Sequence, residues 1–415
     1  MSSDFRPKKE ISDSSRSSRF LELVIYILFF FGPLTGNVIV VLFHTLATEF
    51  SVPQSSILVA IPAFMFPFAV TQLFSGAISD IKGRFPVLLF GLILFGVGMI
   101  LAASSISIEM YAVANILSGI GFGFINPVLI ALMTDITAPP NIPKKMGYLG
   151  ASANLGVGVG PVIASQMISI GWRSIYILFI AITVFGFFYL ITIKRPPQKV
   201  SSEIGVKTLF SQLSVELRRL VVVIMIFSSF LISHTYLALN IWTSRVLSGP
   251  PPVIEESIVG FILGIAGVGA AITGGLTGLI IKKKDPAIPL IIGFILMFVS
   301  LAVLLLIGDI TQPQVFIYLA VGWIIAGLAG GILFPAITYY SQILSPERRG
   351  ALAGLLTAGY FIGIALVPTT LAPIYSKFGV TGIYLTILGI SILFVITVTL
   401  LYLLARRVNR TEVPH

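Results

Sequence analysis

Residues 76–85 read GAISDIKGRF, so one acid and two bases (Asp80, Lys82, Arg84) stand between two long apolar runs in a chain only 10% charged. Soluble domains carry about 25% charged residues. With 56% hydrophobic residues and a mean hydropathy of +1.03, most of this chain's surface suits lipid better than water. The runs flanking the charged turn belong to a series. A hydrocarbon layer of ~30 Å needs about 20 apolar residues per helix. Twelve runs of that scale occur, near 21–46, 55–79, 86–105, 109–136, 146–169, 173–193, 220–244, 257–281, 287–307, 314–343, 350–374 and 380–404. They are too long and unbroken for barrel strands, and a helix satisfies its own backbone where lipid offers no partner. The expectation is an all-α membrane protein of twelve transmembrane helices.

The polar stretch before the first run has no evident cleavage site, and that run exceeds a signal-peptide core of roughly 7–15 residues, so it reads as a membrane helix. The net charge of +10 would suit an anionic partner were it not so unevenly placed. Of the 26 bases, only Arg173, Arg245 and Lys377 fall outside the tails and alternate loops on one side. By the positive-inside rule that side is cytoplasmic. Both termini are therefore expected in the cytoplasm of a multi-pass cell-membrane protein, with the lipid bilayer and no nucleic acid as partner. The absence of cysteine excludes disulfides and thiol chemistry.

The longest internal polar stretch, IKRPPQKVSSEIGVKTLFSQLSVELRR (193–219), divides the runs six and six. It reads as a cytoplasmic linker (195–218) with a short amphipathic segment near 209–217, between an N-terminal bundle (1–194) and a C-terminal bundle (219–415). The halves resemble each other at a constant shift of 208 residues. SGIGFGFINP (118–127) against AGLAGGILFP (326–335) pairs Gly119 with Gly327, Gly123 with Gly331 and Pro127 with Pro335. The same shift pairs Gly171 with Gly379, Ile175 with Ile383 and Tyr176 with Tyr384. Parallel six-helix repeats are a transporter architecture with the substrate site at mid-depth between them.

The spacing Gly76-x-x-x-Asp80-x-x-Gly83-Arg84 resembles the signature between helices two and three of the major facilitator superfamily. Inside-loop bases alone would explain Lys82 and Arg84, but not Asp80. A carboxylate at the membrane edge is stabilised by helix N-termini and by arginine, and can latch one half against the other. The resemblance implies that the aspartate caps helix eleven and the arginine reaches an acid ending helix four. Those positions here look like SPERRG (345–350, with Arg349) and Asp135. GWRSIYILF (171–179) resembles the family's junction of helices five and six, although an interfacial Trp with a snorkelling Arg accounts for it equally well.

GVGVGP (156–161) in helix five resembles the motif of the superfamily's exporters. Gly156 and Gly160 would permit close helix approach, and Pro161 a bend. Helix eight, with Gly260, Gly264, Gly274 and Gly278, is the expected partner. The family's closing glycine pair is replaced by Ala164 and Ser165. A second departure concerns coupling. Proton-coupled exporters of the family hold an acid within helix one or four and an arginine within helix four. Here the arginine position looks like Asn115, and all sixteen acids fall at helix ends, in loops or in tails.

Intramembrane titratable groups default to functional candidates, which leaves His234 and His44 for proton coupling, set against ordinary interhelical hydrogen bonding. Asn37, Asn115, Asn126, His234, Tyr236, Asn240, Trp323 and Tyr360 are the cavity candidates, each also readable as interhelical glue. An aromatic, amide-bearing, uncharged pocket suits small lipophilic or weakly cationic molecules. The expected function is their export by alternating access in exchange for protons, by a protein acting as a monomer. The missing membrane acids favour the alternative, a metabolite uniporter or importer of the same fold. Three scattered histidines and no buried acid pair offer no catalytic or metal-binding set. Without a GxxxxGK[ST] run there is no support for ATP hydrolysis, and no cofactor is implied.

Overall fold

The computed structural model describes residues 8–193, 211, 213–247, 249, 254–283, 287–306, 316–344 and 349–411, and these are helical with no strand among them. The first half comprises α1 (Lys8–Val38, extended by a 3-10 turn Ile39–Val41), α2 (Ala60–Lys82), α3 (Arg84–Ala103), α4 (Ile108–Asp135), α5 (Ile142–Met167) and α6 (Arg173–Thr192). Two short helices, Phe43–Glu49 and Gln54–Ile57, join α1 to α2. The second half comprises α7 (Leu220–Leu247), α8 (Glu256–Lys283), α9 (Ala287–Leu306) and α10 (Phe316–Ile343). A final helical stretch, Arg349–Thr411, breaks at Gly379 into α11 (349–378) and α12 (380–411). Most of the linker lies outside the described residues. At its end Glu216, 2% exposed, pairs with Arg219 at 2.9 Å, and Arg219 donates to the Leu344 carbonyl ending α10.

Ten helical stretches are long and apolar enough to span a membrane, and the last of them holds two spans. The twelfth, α5, is not among the ten because glycine, serine and asparagine dilute its hydropathy. Twelve spans put both chain ends on one side, called here the terminal face; the opposite side is the distal face. The outward sides of α3, α6, α9 and α12 expose Ile100, Phe188, Ile295 and Ile396, a rim that suits acyl chains.

The 208-residue repeat is a repeat of packing. In the first half, a Cβ built on Gly119 would lie 2.2 Å from the Phe64 carbonyl of α2, and one on Gly123 2.6 Å from Thr71. In the second half, a Cβ on Gly327 would lie 2.3 Å from the Ala266 carbonyl of α8, and one on Gly331 2.2 Å from that of Ala270. The α4–α2 and α10–α8 seams are thus one design used twice, each depending on side-chain-free backbone. Gly171 (φ 123°) and Gly379 (φ 61°) turn the chain at the two equivalent junctions, in a region that penalises a Cβ. After each turn a buried tyrosine finds a hydroxyl partner: Tyr176 meets Tyr111, and Tyr384 meets Thr243 at 3.1 Å.

The halves meet along two lateral seams. In the α5–α8 seam, a Cβ on Gly267 would lie 2.2 Å from the Gly158 Cα, Gly264 faces Val162, and Gly260 faces Pro161 and Ser165. The expected partner for Gly156 and Gly160 is corrected here. They face α1, with Cβ positions 2.2 Å from the Phe30 carbonyl and 2.9 Å from that of Leu34. Residues four apart share one helix face, so the intervening Gly158 reaches α8 instead. In the α2–α11 seam, Phe68 and Phe361 stack edge-on at 4.4 Å.

Gly119→Val and Gly327→Val should each destabilise the protein by about 1–3 kcal/mol through overpacking. Gly389→Ala, which meets nothing within 4 Å, should leave the melting temperature no lower and can raise it slightly, since a helix-interior glycine costs about 0.5–1 kcal/mol against alanine. Thermal unfolding of the detergent-solubilised protein measures all three.

Candidate functional site

The four glycine seams leave room at the centre. A cavity of about 280 Å³ lies between the halves, with residues from both in its wall. Eight of its lining residues are aromatic, set among aliphatic side chains and glycines. Phe122 of α4 lies over Gly32 of α1, where any Cβ would strike its ring, and packs on Phe68 of α2 at 5.2 Å. Across the cavity Tyr360 packs on Phe334 at 4.6 Å and on Phe361 at 5.3 Å, and the Phe68–Phe361 contact closes the ring from one half to the other. Polarity comes from Asn37, Asn126, Asn154 and Asn240, one each on α1, α4, α5 and α7. Among the described residues, no acid, base or histidine lines this cavity.

Of the sequence candidates, Asn37, Asn126, Tyr236, Asn240 and Tyr360 meet in the cavity, and Asn154 joins them. The others lie elsewhere. Trp323 is 1% exposed within the bundle and outside the cavity lining. Asn115 donates to the Tyr111 carbonyl at 2.8 Å and lines a much smaller pocket with Thr35, Tyr111 and Tyr176. His234 turns toward α11, its Nε2 3.2 Å from the Thr370 hydroxyl and its ring stacked on Phe230 at 4.5 Å. His234 and Tyr236 are two residues apart, so they point to nearly opposite sides of α7, here within a π turn at Ser233–Leu237. Tyr236 lies against Gly330 of α10, where a Cβ would lie 2.7 Å from its ring.

At the distal face the halves are joined by hydrogen bonds. Glu256, the first residue of α8, accepts from the Thr45 amide at 3.3 Å and from the Thr45 hydroxyl at 2.5 Å. Arg245 of α7 pairs with Gln54, whose amide lies 3.5 Å from His44, and Ser244 donates to the Val40 carbonyl. These contacts cover the cavity end marked by Val40 and Ile241. Reading Glu256 as an ordinary loop acid missed this role. Nothing in sequence distinguishes a polar residue at a helix end that meets water from one that meets the other half. Nearby, Arg173 of the 171–179 stretch binds Glu49 at 2.6 Å and the Ser105 carbonyl at 3.0 Å, and lies over Trp172. The hydrogen bond from Arg173 holds the Glu49 carboxyl below its ordinary pKa.

At the terminal face the charged turn assembles within the first half. Arg84 pairs with Asp80, bonds Asp135 through Nε at 2.9 Å and donates to Ser79 at 2.6 Å. Gly83 turns between α2 and α3 at φ 90°, which places Arg84 at the start of α3 beside the end of α4. Gly76 meets nothing within 4 Å. The expected partner turn at 345–348 lies outside the described residues, and Arg349 opens the stretch that follows.

Comparison with known proteins agrees with this architecture. The family model described as Major Facilitator Superfamily matches residues 25–311 and 253–415. The quinolone resistance protein NorA of Staphylococcus aureus (strain COL) is 24% identical over 331 residues, 76% of this chain and 82% of that one. An uncharacterised MFS-type transporter of Bacillus subtilis, YvkA, is 29% identical over 157 residues, which span only 35% of its length. Among solved structures, a point mutant of the nucleoside transporter NupG superposes with a TM-score of 0.71 at 14% identity, covering 94% of this chain and 99% of its own. A bacterial homologue of the human lysosomal transporter Spinster, in an inward-facing, unoccupied conformation, gives 0.66 at 16% identity, covering 94% and 97%.

The natural chain has no cysteine, so one introduced thiol reports alone. In Ile241→Cys, a membrane-impermeant maleimide added from the distal face should react slowly. Adding Glu256→Ala should speed labelling severalfold by breaking the Thr45 contacts.

Proposed function

The chain belongs to the major facilitator superfamily, and from that membership we propose that it exports small lipophilic or weakly cationic compounds by alternating access, in exchange for protons. The observation that carries this reading is the uncharged aromatic and amide lining of the central cavity. An organic anion would need a buried Arg or Lys there, because an unpaired charge at mid-membrane is costly. Rings and scattered amides suit flat apolar molecules with few polar groups. The likeness of 156–161 to the exporter motif and the relationship to NorA, named for quinolone resistance, support the outward direction.

In this reading the termini face the cytoplasm of the cell membrane, as the basic bias suggests, and one chain suffices because it encloses the whole cavity. The bundles 1–194 and 219–415 rock about it, joined by 195–218. The Glu256–Thr45 and Arg245–Gln54 contacts close the distal side in one state. Asp80, Arg84 and Asp135, with Gly76 and Gly83 shaping the turn and Arg349 opening helix eleven, hold the terminal side in the other. Gly156 and Gly160 keep α5 close to α1, so that the two move together, while Pro161 lies at Gly260 of α8. His234 and His44 are the proton-coupling candidates. One observation favours a second reading, a metabolite uniporter or importer: no acid, base or histidine lines the cavity among the described residues.

Inverted vesicles with an imposed pH gradient, challenged with a diverse compound panel, separate the two. Exchange predicts uptake of lipophilic weak bases that collapses when the gradient is dissipated, whereas undiminished uptake without a gradient would establish the uniporter. Asp80→Asn should slow transport and raise maleimide labelling of cavity cysteines from the terminal face. His234→Gln should flatten the pH dependence of transport if the proton travels through it.

A further inference from the structure

Asn240 is 8% exposed and lines the cavity, yet its Oδ1 is buried without a hydrogen-bond partner. Among the described residues with a buried, unpartnered side-chain polar atom, Asn240 alone belongs to the cavity wall; Gln72, Trp242 and Trp323, for example, do not. Buried polar atoms are nearly always satisfied, and an exception that borders a binding cavity points to a ligand. The amide's position is well held. Tyr236, one turn earlier, takes a hydrogen bond from the Asn240 side chain, which leaves Oδ1 as the unpartnered end, and is itself fixed against Gly330 of α10. The other three cavity amides are half-buried, and Asn37 spends its Nδ2 on the Pro33 carbonyl at 2.7 Å.

The unpartnered atom is an acceptor, so its complement is a donor. The same cavity wall carries aromatic rings from both halves: Tyr236, Phe334, Tyr360 and Phe361 on the half of Asn240, and Phe64, Phe68 and Phe122 on the other. The geometry points to a specificity-determining subsite in which Asn240 Oδ1 accepts a hydrogen bond from an N–H or O–H on the edge of a flat aromatic ligand. This rests on the proposed lipophilic cargo and narrows it. Within that class, ring systems carrying a donor are preferred over isosteres without one, because only they satisfy the buried oxygen.

Carbazole and fluorene test the subsite, having the same tricyclic shape and differing in N–H against CH₂. Their binding to the purified full-length protein in lipid nanodiscs can be read by displacement of one by the other and by tryptophan energy transfer to carbazole. The wild type should bind carbazole roughly two- to tenfold more tightly than fluorene, the range of one net neutral hydrogen bond. Asn240→Leu and Asn240→Ala, which remove the acceptor with and without filling its space, should bring the ratio close to one. A ratio of affinities within one preparation is insensitive to a misfolded fraction, and either variant alone decides the matter. Equal binding of both compounds by the wild type would overturn the subsite and leave the lipophilic-cargo reading intact. A carbazole preference that survives both substitutions would place the donor contact elsewhere and overturn the assignment to Asn240. Failure of both compounds to bind would overturn the subsite and the cargo reading together.

Discussion

Helices in lipid gain nothing from burying apolar side chains against each other rather than against acyl chains, so close van der Waals packing has to hold them. In this protein that constraint is met by backbone meeting backbone. Gly119 and Gly123 bring α4 onto α2, Gly327 and Gly331 bring α10 onto α8, and Gly158 and Gly267 bring α5 onto α8. The first two seams fix each half internally, and the third runs between the halves. The seam between halves is held mainly by backbone contact, with one long side-chain bond from Ser165 to the Ser257 carbonyl at 3.5 Å, so it can tilt while breaking few polar contacts. Smooth small-residue surfaces are therefore compatible with both firm bundles and relative motion.

Polar interactions are sorted by depth. Ion pairs and inter-half hydrogen bonds gather where water can reach them: Glu256, Arg245 and Gln54 at the distal face, Asp80, Arg84 and Asp135 at the terminal face. Interhelical hydrogen bonds in membrane proteins contribute on average ~0.6 kcal/mol each. A small cluster at one end can thus bias a conformational equilibrium without freezing it. The two clusters also differ in kind. The distal contacts cross between halves, while Asp80, Arg84 and Asp135 join the ends of α2, α3 and α4.

The middle of the molecule is where local geometry and function converge. Residues two apart on a helix point to nearly opposite sides, so the imidazole of His234 meets Thr370 while Tyr236 and Asn240 face the cavity. The outcome is a largely apolar wall with aromatic rings from both halves and one unsatisfied acceptor, Asn240 Oδ1, among the described residues.

The sequence by itself determined the membrane class, the twelve spans, the division into halves and their 208-residue correspondence, because apolar run length, charge bias and repeated glycines are properties of the chain alone. It also singled out Asp80, Arg84 and Asp135, which meet as their spacing in the family suggests. Only the tertiary structure decided which faces those helices turn to one another. It gave Gly158 rather than Gly156 and Gly160 to the inter-half seam, withdrew Trp323, Asn115 and His234 from the main cavity, and recruited Asn154 and Glu256. The physical reason is rotational. Hydropathy along a nearly all-apolar helix has little angular contrast, so the facing of each residue is settled by packing against neighbours distant in sequence.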